Sequence, residues 1–128
     1  MARRRKNRKG EVFHFLHTAW DVDLADEILL DAPREPEMVN VAEPQKMVNA
    51  PGEKGIIIFG IRTSDKKARE ADVSYPIYIA EWKPGRGKES AFLVIDGWHR
   101  VAKSKQLGLK ELPAFVFTLK ESRKIQIR

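Results

Sequence analysis

No cysteine occurs anywhere in the 128 residues. Disulfides, thiolate metal sites and thiol catalysis are therefore excluded, and the composition fits a cytoplasmic protein. Histidine is scarce, with three in the chain. His14 and His17 lack metal-ligand spacing to a further His or Cys. No apolar run approaches the ~20 residues that span a bilayer, so no membrane partner is expected. The N-terminus has no apolar h-region, so it does not read as a secretory signal. Acidic residues are missing from the first ten positions.

That last absence sets the charge pattern. Arg3, Arg4, Arg5, Lys6, Arg8 and Lys9 give the head six positive charges out of 24 basic residues, and the remaining 18 balance 18 acidic ones. The net charge of +6 thus belongs to the head. With no apolar residue after Met1 except Ala2, residues 1–10 cannot pack and are expected to form a disordered basic arm. Such an arm suits the phosphates of DNA or another polyanion; a merely solubilising tail is the alternative. Residues 11–128 are enough for one domain with one core.

Glu11 to Leu16 alternates and carries aromatics, as a strand does. Asp21 to Glu43 sets eight acids against Arg34 alone. Its apolar anchors, Val22, Leu24 and Ile28 to Leu30, fit a strand at Val22–Leu24 or a short helix through Leu30. Asp23, Asp26 and Glu27 in it are either a solvated acidic face or candidates for a general base or metal carboxylates. Pro33 and Pro36 break regular structure, and Met38–Ala50 reads as a short helix. Ile56–Phe59 reads as a buried strand. Ser64 caps a helix from Asp65 to Ala71. Tyr75–Trp82 is strand-like, with Pro76 at its start or on an edge. Lys83–Lys88 is a loop; its Arg86 and Lys88 either contact nucleic acid or simply decorate a turn. Lys120–Arg128, with Ile125 and Ile127 alternating, fits an edge strand or a frayed end.

The stretch Ala91 to Phe117 carries the chemistry. Ala91–Ile95 is a short apolar run that suits a strand buried on both faces. Asp96 and Gly97 turn the chain. A helix from Trp98 to Leu107 ends at Gly108, which takes the left-handed C-terminal conformation readily. Pro113–Phe117 is a second strand. A helix between two strands usually leaves them parallel, joined by a right-handed crossover. The first amides of the helix lack internal partners and sit at the positive end of its dipole. An anion against Gly97, Trp98 and His99 would be held there, and Arg100 could grip a phosphate in two places. The competing reading is that Arg100 staples the helix by pairing with Asp96. Asp96 itself is either a cap or a carboxylate on the Mg²⁺ side of a bound phosphate. Trp98, followed by Val101 and Ala102, reads as core, with base stacking as the alternative. Lys103 either extends the cationic edge or stays solvated.

The string Asp96-Gly97-Trp98-His99-Arg100, followed by Leu107-Gly108-Leu109 and Leu112-Pro113-Ala114, resembles the core signature of the ParB/sulfiredoxin-like superfamily. The strand Pro76-Ile77-Tyr78-Ile79 sits where that family places one, and Trp20–Leu24 is a counterpart for its early strand. The resemblance covers Tyr75 to Phe117. It implies an α/β (α+β) fold with a mixed β-sheet and helices in a single small domain. It also implies a nucleotide-phosphate site at Gly97, Trp98, His99 and Arg100, with ATP or CTP and Mg²⁺ as cofactors. Members include a CTP-binding partition protein, ATP-dependent sulfiredoxin, a free-serine kinase and plasmid-borne nuclease-like proteins. Trp98 stands where sulfiredoxin needs its Cys, which excludes that reaction. Partition proteins continue into a helix-turn-helix domain, whereas eleven residues follow Phe117 in this sequence.

Three functions follow from the resemblance. The first is a nucleotide-binding module, of plasmid or phage type, that is DNA-associated through the basic arm. The second is an enzyme on the same site, either a small-molecule phosphotransferase or a DNA nuclease. The third is a nucleic-acid-binding or inhibitory protein whose nucleotide pocket is degenerate. Fold alone does not choose among them.

Overall fold

A computed structural model describes residues 12–15, 18–48, 63–83 and 89–127. The basic arm, the expected strand at Ile56–Phe59 and the loop residues Arg86 and Lys88 lie outside the described residues. In chain order the elements are β1 (Val12–Phe15), β2 (Thr18–Asp21), α1 (Val22–Asp31), β3 (Glu37–Asn40), α2 (Ala42–Met47) and α3 (Asp65–Glu70). They continue with β4 (Ile77–Trp82), β5 (Ala91–Asp96), α4 (Trp98–Leu107), β6 (Glu111–Phe117) and α5 (Leu119–Ile125). Together they make a small α+β domain with a mixed sheet.

β1 and β2 form an antiparallel pair, with Phe13 opposite Trp20. The larger sheet has the order β3-β6-β4-β5 among the described residues. Its β3–β6 and β4–β5 pairs are antiparallel, so in this mixed sheet β6 and β4 are the parallel neighbours. This corrects the expected crossover. β5 and β6 run in opposite directions with β4 between them. The reason is topological: strands β5 and β6 flank β4 and pair with it in opposite senses. β5 is likewise an outer strand among the described residues. Leu93, Val94 and Ile95 are buried, but Phe92 is 64% exposed, so the run is not covered on both faces along its length.

The chain clusters into two compact units. The first draws on Met1–Pro36, Tyr78–Asp96 and Phe115–Arg128. Its helix α1 begins where Asp21 accepts a hydrogen bond from the Leu24 amide at 3.1 Å, an N-cap that stops β2 and starts the helix. Val22 to Leu24 are therefore helical, and of the early strand expected at Trp20–Leu24 only Trp20 and Asp21 are extended, in β2. Val22, Ala25 and Leu29, at helical spacing, are buried. An aromatic cluster fills this core. The Trp20 and Trp82 rings meet edge to face at 5.7 Å, and Tyr78 meets Phe117 at 5.3 Å. The Trp20 indole donates to the buried Ser122 hydroxyl at 3.0 Å, which satisfies its one polar atom.

The C-terminal segment is a helix rather than an edge strand or frayed end. Thr118 and Glu121 form a capping box at the start of α5, and Ile125 is buried while Ile127 is exposed. Arg34 reaches from the loop after α1 and holds Glu121 with both terminal nitrogens, at 2.9 and 2.6 Å. That hydrogen bond is the main reason the Glu121 carboxyl lies below its ordinary value.

The second unit comprises Glu37–Ile77 and Gly97–Ala114. β3 pairs with the start of β6, with Val39 opposite Leu112. Sequence periodicity had no hold on it, because three of its four residues are exposed. α2 and α3 both pack on α4. Val101 and Ala102 of α4 are buried with Trp98, the i, i+3, i+4 face expected of an amphipathic helix. The buried Ser104 hydroxyl donates to the Val101 carbonyl and accepts from the Gln45 amide at 2.9 Å. Gly108, at φ 71°, closes α4 in the left-handed conformation, and Leu109 N–H bonds the Ser104 carbonyl at 2.9 Å, as a Schellman ending requires.

Candidate functional site

Gly97 is the N-cap of α4, with φ 103° and ψ 23°. A residue with a Cβ adopts this conformation only under strain. A Cβ here would also lie 2.6 Å from Ile77 Cγ2 and 3.2 Å from Arg100 Cζ. The glycine thus lets Ile77 and the Arg100 guanidinium close over the turn. Sequence reasoning assigned that freedom to the approach of a ligand; within this unit the protein's own side chains use it.

α4 starts on a glycine and not on a polar capping residue. Its N-cap has no side chain to satisfy the first amides, and no acid lies in its first turn. By contrast, the ends of α1, α3 and α5 are each capped by a side chain: Asp21, Ser64 and Thr118 respectively. The α4 dipole and its cations therefore act together at this point.

Arg100 donates to the carbonyls of Tyr75 and Pro76, the former at 3.2 Å. Its guanidinium also lies 5.6 Å from the centre of the Tyr75 ring, within cation–π range. Lys103, one turn later, donates to the Ala71 carbonyl at 2.7 Å. It is half-buried, which corrects the reading of it as a solvated lysine. Between these grips sits Asp72. It accepts from both the backbone amide and the hydroxyl of Ser74, at 3.0 and 2.6 Å. Those bonds, led by the hydroxyl, pull its carboxyl below the ordinary range, with smaller help from the Lys103 and Arg100 charges. The segment 71–76 is thus clasped to α4 by two cations. The Asp72-x-Ser74 spacing is a signal for an Asx turn, and it was available in the sequence.

Trp98 is 8% exposed, in keeping with the core reading. His99 is half-buried. Asp96, in the other unit, ends β5 opposite Tyr78. Ser64 caps α3, accepting from Lys67 N–H at 3.3 Å, while the Lys67 side chain is exposed. Arg3, Arg4, Arg5, Lys6, Arg8 and Lys9 lie outside the described residues. Of the three candidate acids on α1, Asp26 is not part of a solvated face. It is 5% exposed and accepts a short hydrogen bond from the Tyr78 hydroxyl. Asp23 is half-buried and Glu27 exposed.

Among the described residues, no group of three or more His, Asp or Glu side chains is placed to hold a metal ion. A Mg²⁺ ion at the α4 turn would take most of its ligands from phosphate and water, with at most one or two protein carboxylates. Sequence reasoning passed over Lys83 and Arg123, which line a recess in the first unit. No helix among the described residues is long and apolar enough to cross a membrane. Comparison of the chain with family models, curated proteins and solved structures finds no match.

Proposed function

We propose that the chain is a nucleotide-phosphate-binding domain of the ParB/sulfiredoxin-like kind. In this reading it takes ATP or CTP with Mg²⁺ at the start of α4 and associates with DNA through the basic arm. The observation that carries the reading is the α4 N-terminus. It has a glycine cap, no acid in its first turn, and His99 and Arg100 in that turn. Helix ends of this kind attract phosphate through backbone amides and dipole, and Arg100 adds a planar donor suited to phosphate oxygens. The residue pattern Asp96 to Arg100 and its exit through Gly108 supply the resemblance.

A second reading has its own observation. Arg100 is already bonded to the Tyr75 and Pro76 carbonyls, and Ile77 stands against Gly97. A turn closed in this way suits a nucleic-acid-binding protein whose nucleotide pocket has been lost.

A thermal-shift panel with ATP, CTP and GTP, with and without Mg²⁺, decides between them. A nucleotide at a hundred times its Kd should stabilise the native state by about 2.7 kcal/mol. Arg100→Ala should abolish that shift. Absence of a shift with every nucleotide, while the protein still binds DNA, rejects the first reading in favour of the second.

A further inference from the structure

We infer that the folded domain carries a polynucleotide-backbone contact of its own, at a recess between the end of β4 and helix α5. This contact is separate from the basic arm and from the turn at Gly97. The recess holds about 280 Å³ and is lined by Lys83, Leu119, Arg123, Gln126 and Ile127. All five belong to the first unit. Two cations and one amide are among the residues that border it.

The state of those cations matters more than their number. Four basic side chains elsewhere are engaged: Arg34 with Glu121, Lys46 with Glu43, and Arg100 and Lys103 with backbone carbonyls. Lys83 and Arg123 are exposed and make no ion pair with the described residues. Of the two acids nearest in the chain, one is committed elsewhere. Glu121 is held by Arg34, and Glu81 accepts the Leu119 amide at 3.1 Å. The lining thus carries two positive charges, offset in part by the Glu81 carboxylate beside Leu119.

Its walls are fixed. Gln126 bridges to Trp20 and Ile127 N–H bonds the Ala19 carbonyl at 2.8 Å. Both partners are fully buried. Ile127 nevertheless leaves 54% of its surface exposed beside the cations.

A polymeric ligand fits better than a small anion. Lys120, Arg123 and Lys124 are all exposed, and their i, i+3, i+4 spacing puts them on one face of α5. The positive charge thus runs past the recess along the helix, as a chain of phosphates requires. The apolar pair Leu119 and Ile127 would meet sugar or base between the phosphates.

The test is fluorescence anisotropy of the full chain with single-stranded and duplex oligonucleotides across a salt series. The double variant Lys83→Gln/Arg123→Gln removes two phosphate contacts. It should lower affinity and flatten the slope of log K against log salt by about 1.4 for single strands or about 1.8 for duplex. The affinity gap to wild type should then close by about seven- to twelvefold between 50 and 200 mM salt. Lys66→Gln/Lys105→Gln, which neutralises two exposed lysines outside the recess, is the control for net charge. Neutralising the arm in the same background should add to the loss, which keeps this contact distinguishable from the arm. An unchanged slope in a double variant that melts like wild type overturns the inference. So does an equal loss in the Lys66/Lys105 control, or tighter binding of a poly-glutamate peptide than of either oligonucleotide.

Discussion

Replacing Gly97 by Ala tests what the key glycine is for. The cost has two parts. A Cβ at φ 103° carries the left-handed penalty of about 1–2 kcal/mol. The new methyl would also sit 2.6 Å from Ile77 Cγ2 and 3.0 Å from Ile77 Cβ. Ile77 is fully buried and β-branched, so it cannot swing away, and such overpacking costs about 1–3 kcal/mol. The total is about 2–5 kcal/mol. Gly108 is the internal control: at φ 71° its Cβ would meet nothing within 4 Å, so Gly108→Ala should show the backbone part alone, about 1–2 kcal/mol. For a chain of this size the Tm should fall by about 4–8 °C in Gly108→Ala and about 8–20 °C in Gly97→Ala. Thermal and urea unfolding without ligand measure both. If the two variants fall equally, Ile77 is not what the glycine accommodates. If Gly97→Ala melts like wild type but loses a nucleotide shift, the glycine serves the ligand and the packing argument is wrong.

The Arg34–Glu121 pair gives a pH prediction. Glu121 is held below the ordinary glutamate value of 4.5, mainly by the Arg34 hydrogen bond. Its contribution is therefore fully present above about that pH and lost as pH falls through the lowered value. Glu121→Gln keeps a capping side chain but removes the charge, and for this partly exposed pair it should cost about 1 kcal/mol at pH 7. The Tm gap to wild type should narrow below pH 4.5; a gap that stays constant down to pH 3 (about 1.5 units lower) would count against the assignment. Tyr78→Phe keeps the ring against Phe117 but removes the donor to buried Asp26. It should cost about 1–3 kcal/mol in urea unfolding, and a change within a few tenths would show that the pair contributes nothing to stability.

Much of the chain was legible where one local cause sufficed. α4 starts and stops where the turn glycines and its apolar i, i+3, i+4 face say it should. α3 begins after the Ser64 cap, and β4 follows Pro76. α5 was legible too, but the wrong signal was read. Thr118-x-x-Glu121 announces a capping box, whereas the alternation of Ile125 and Ile127 points to an edge strand or a frayed end. The burial of Asp26 could not be read at all, because its partner Tyr78 lies 52 residues away. The same holds for Lys103, whose carbonyl acceptor is 32 residues distant.

By itself the sequence determined the helix boundaries around α4, the glycine turn that opens it and the concentration of positive charge in the arm. These depend on backbone sterics and short-range patterning, which a few adjacent residues settle. Only the tertiary structure decided that β4 separates β5 from β6, that Ile77 and Arg100 fill the space beside Gly97, and that Lys83 and Arg123 share one recess. Each of these depends on which distant segments pair, and strand order leaves no trace in the spacing of any single segment.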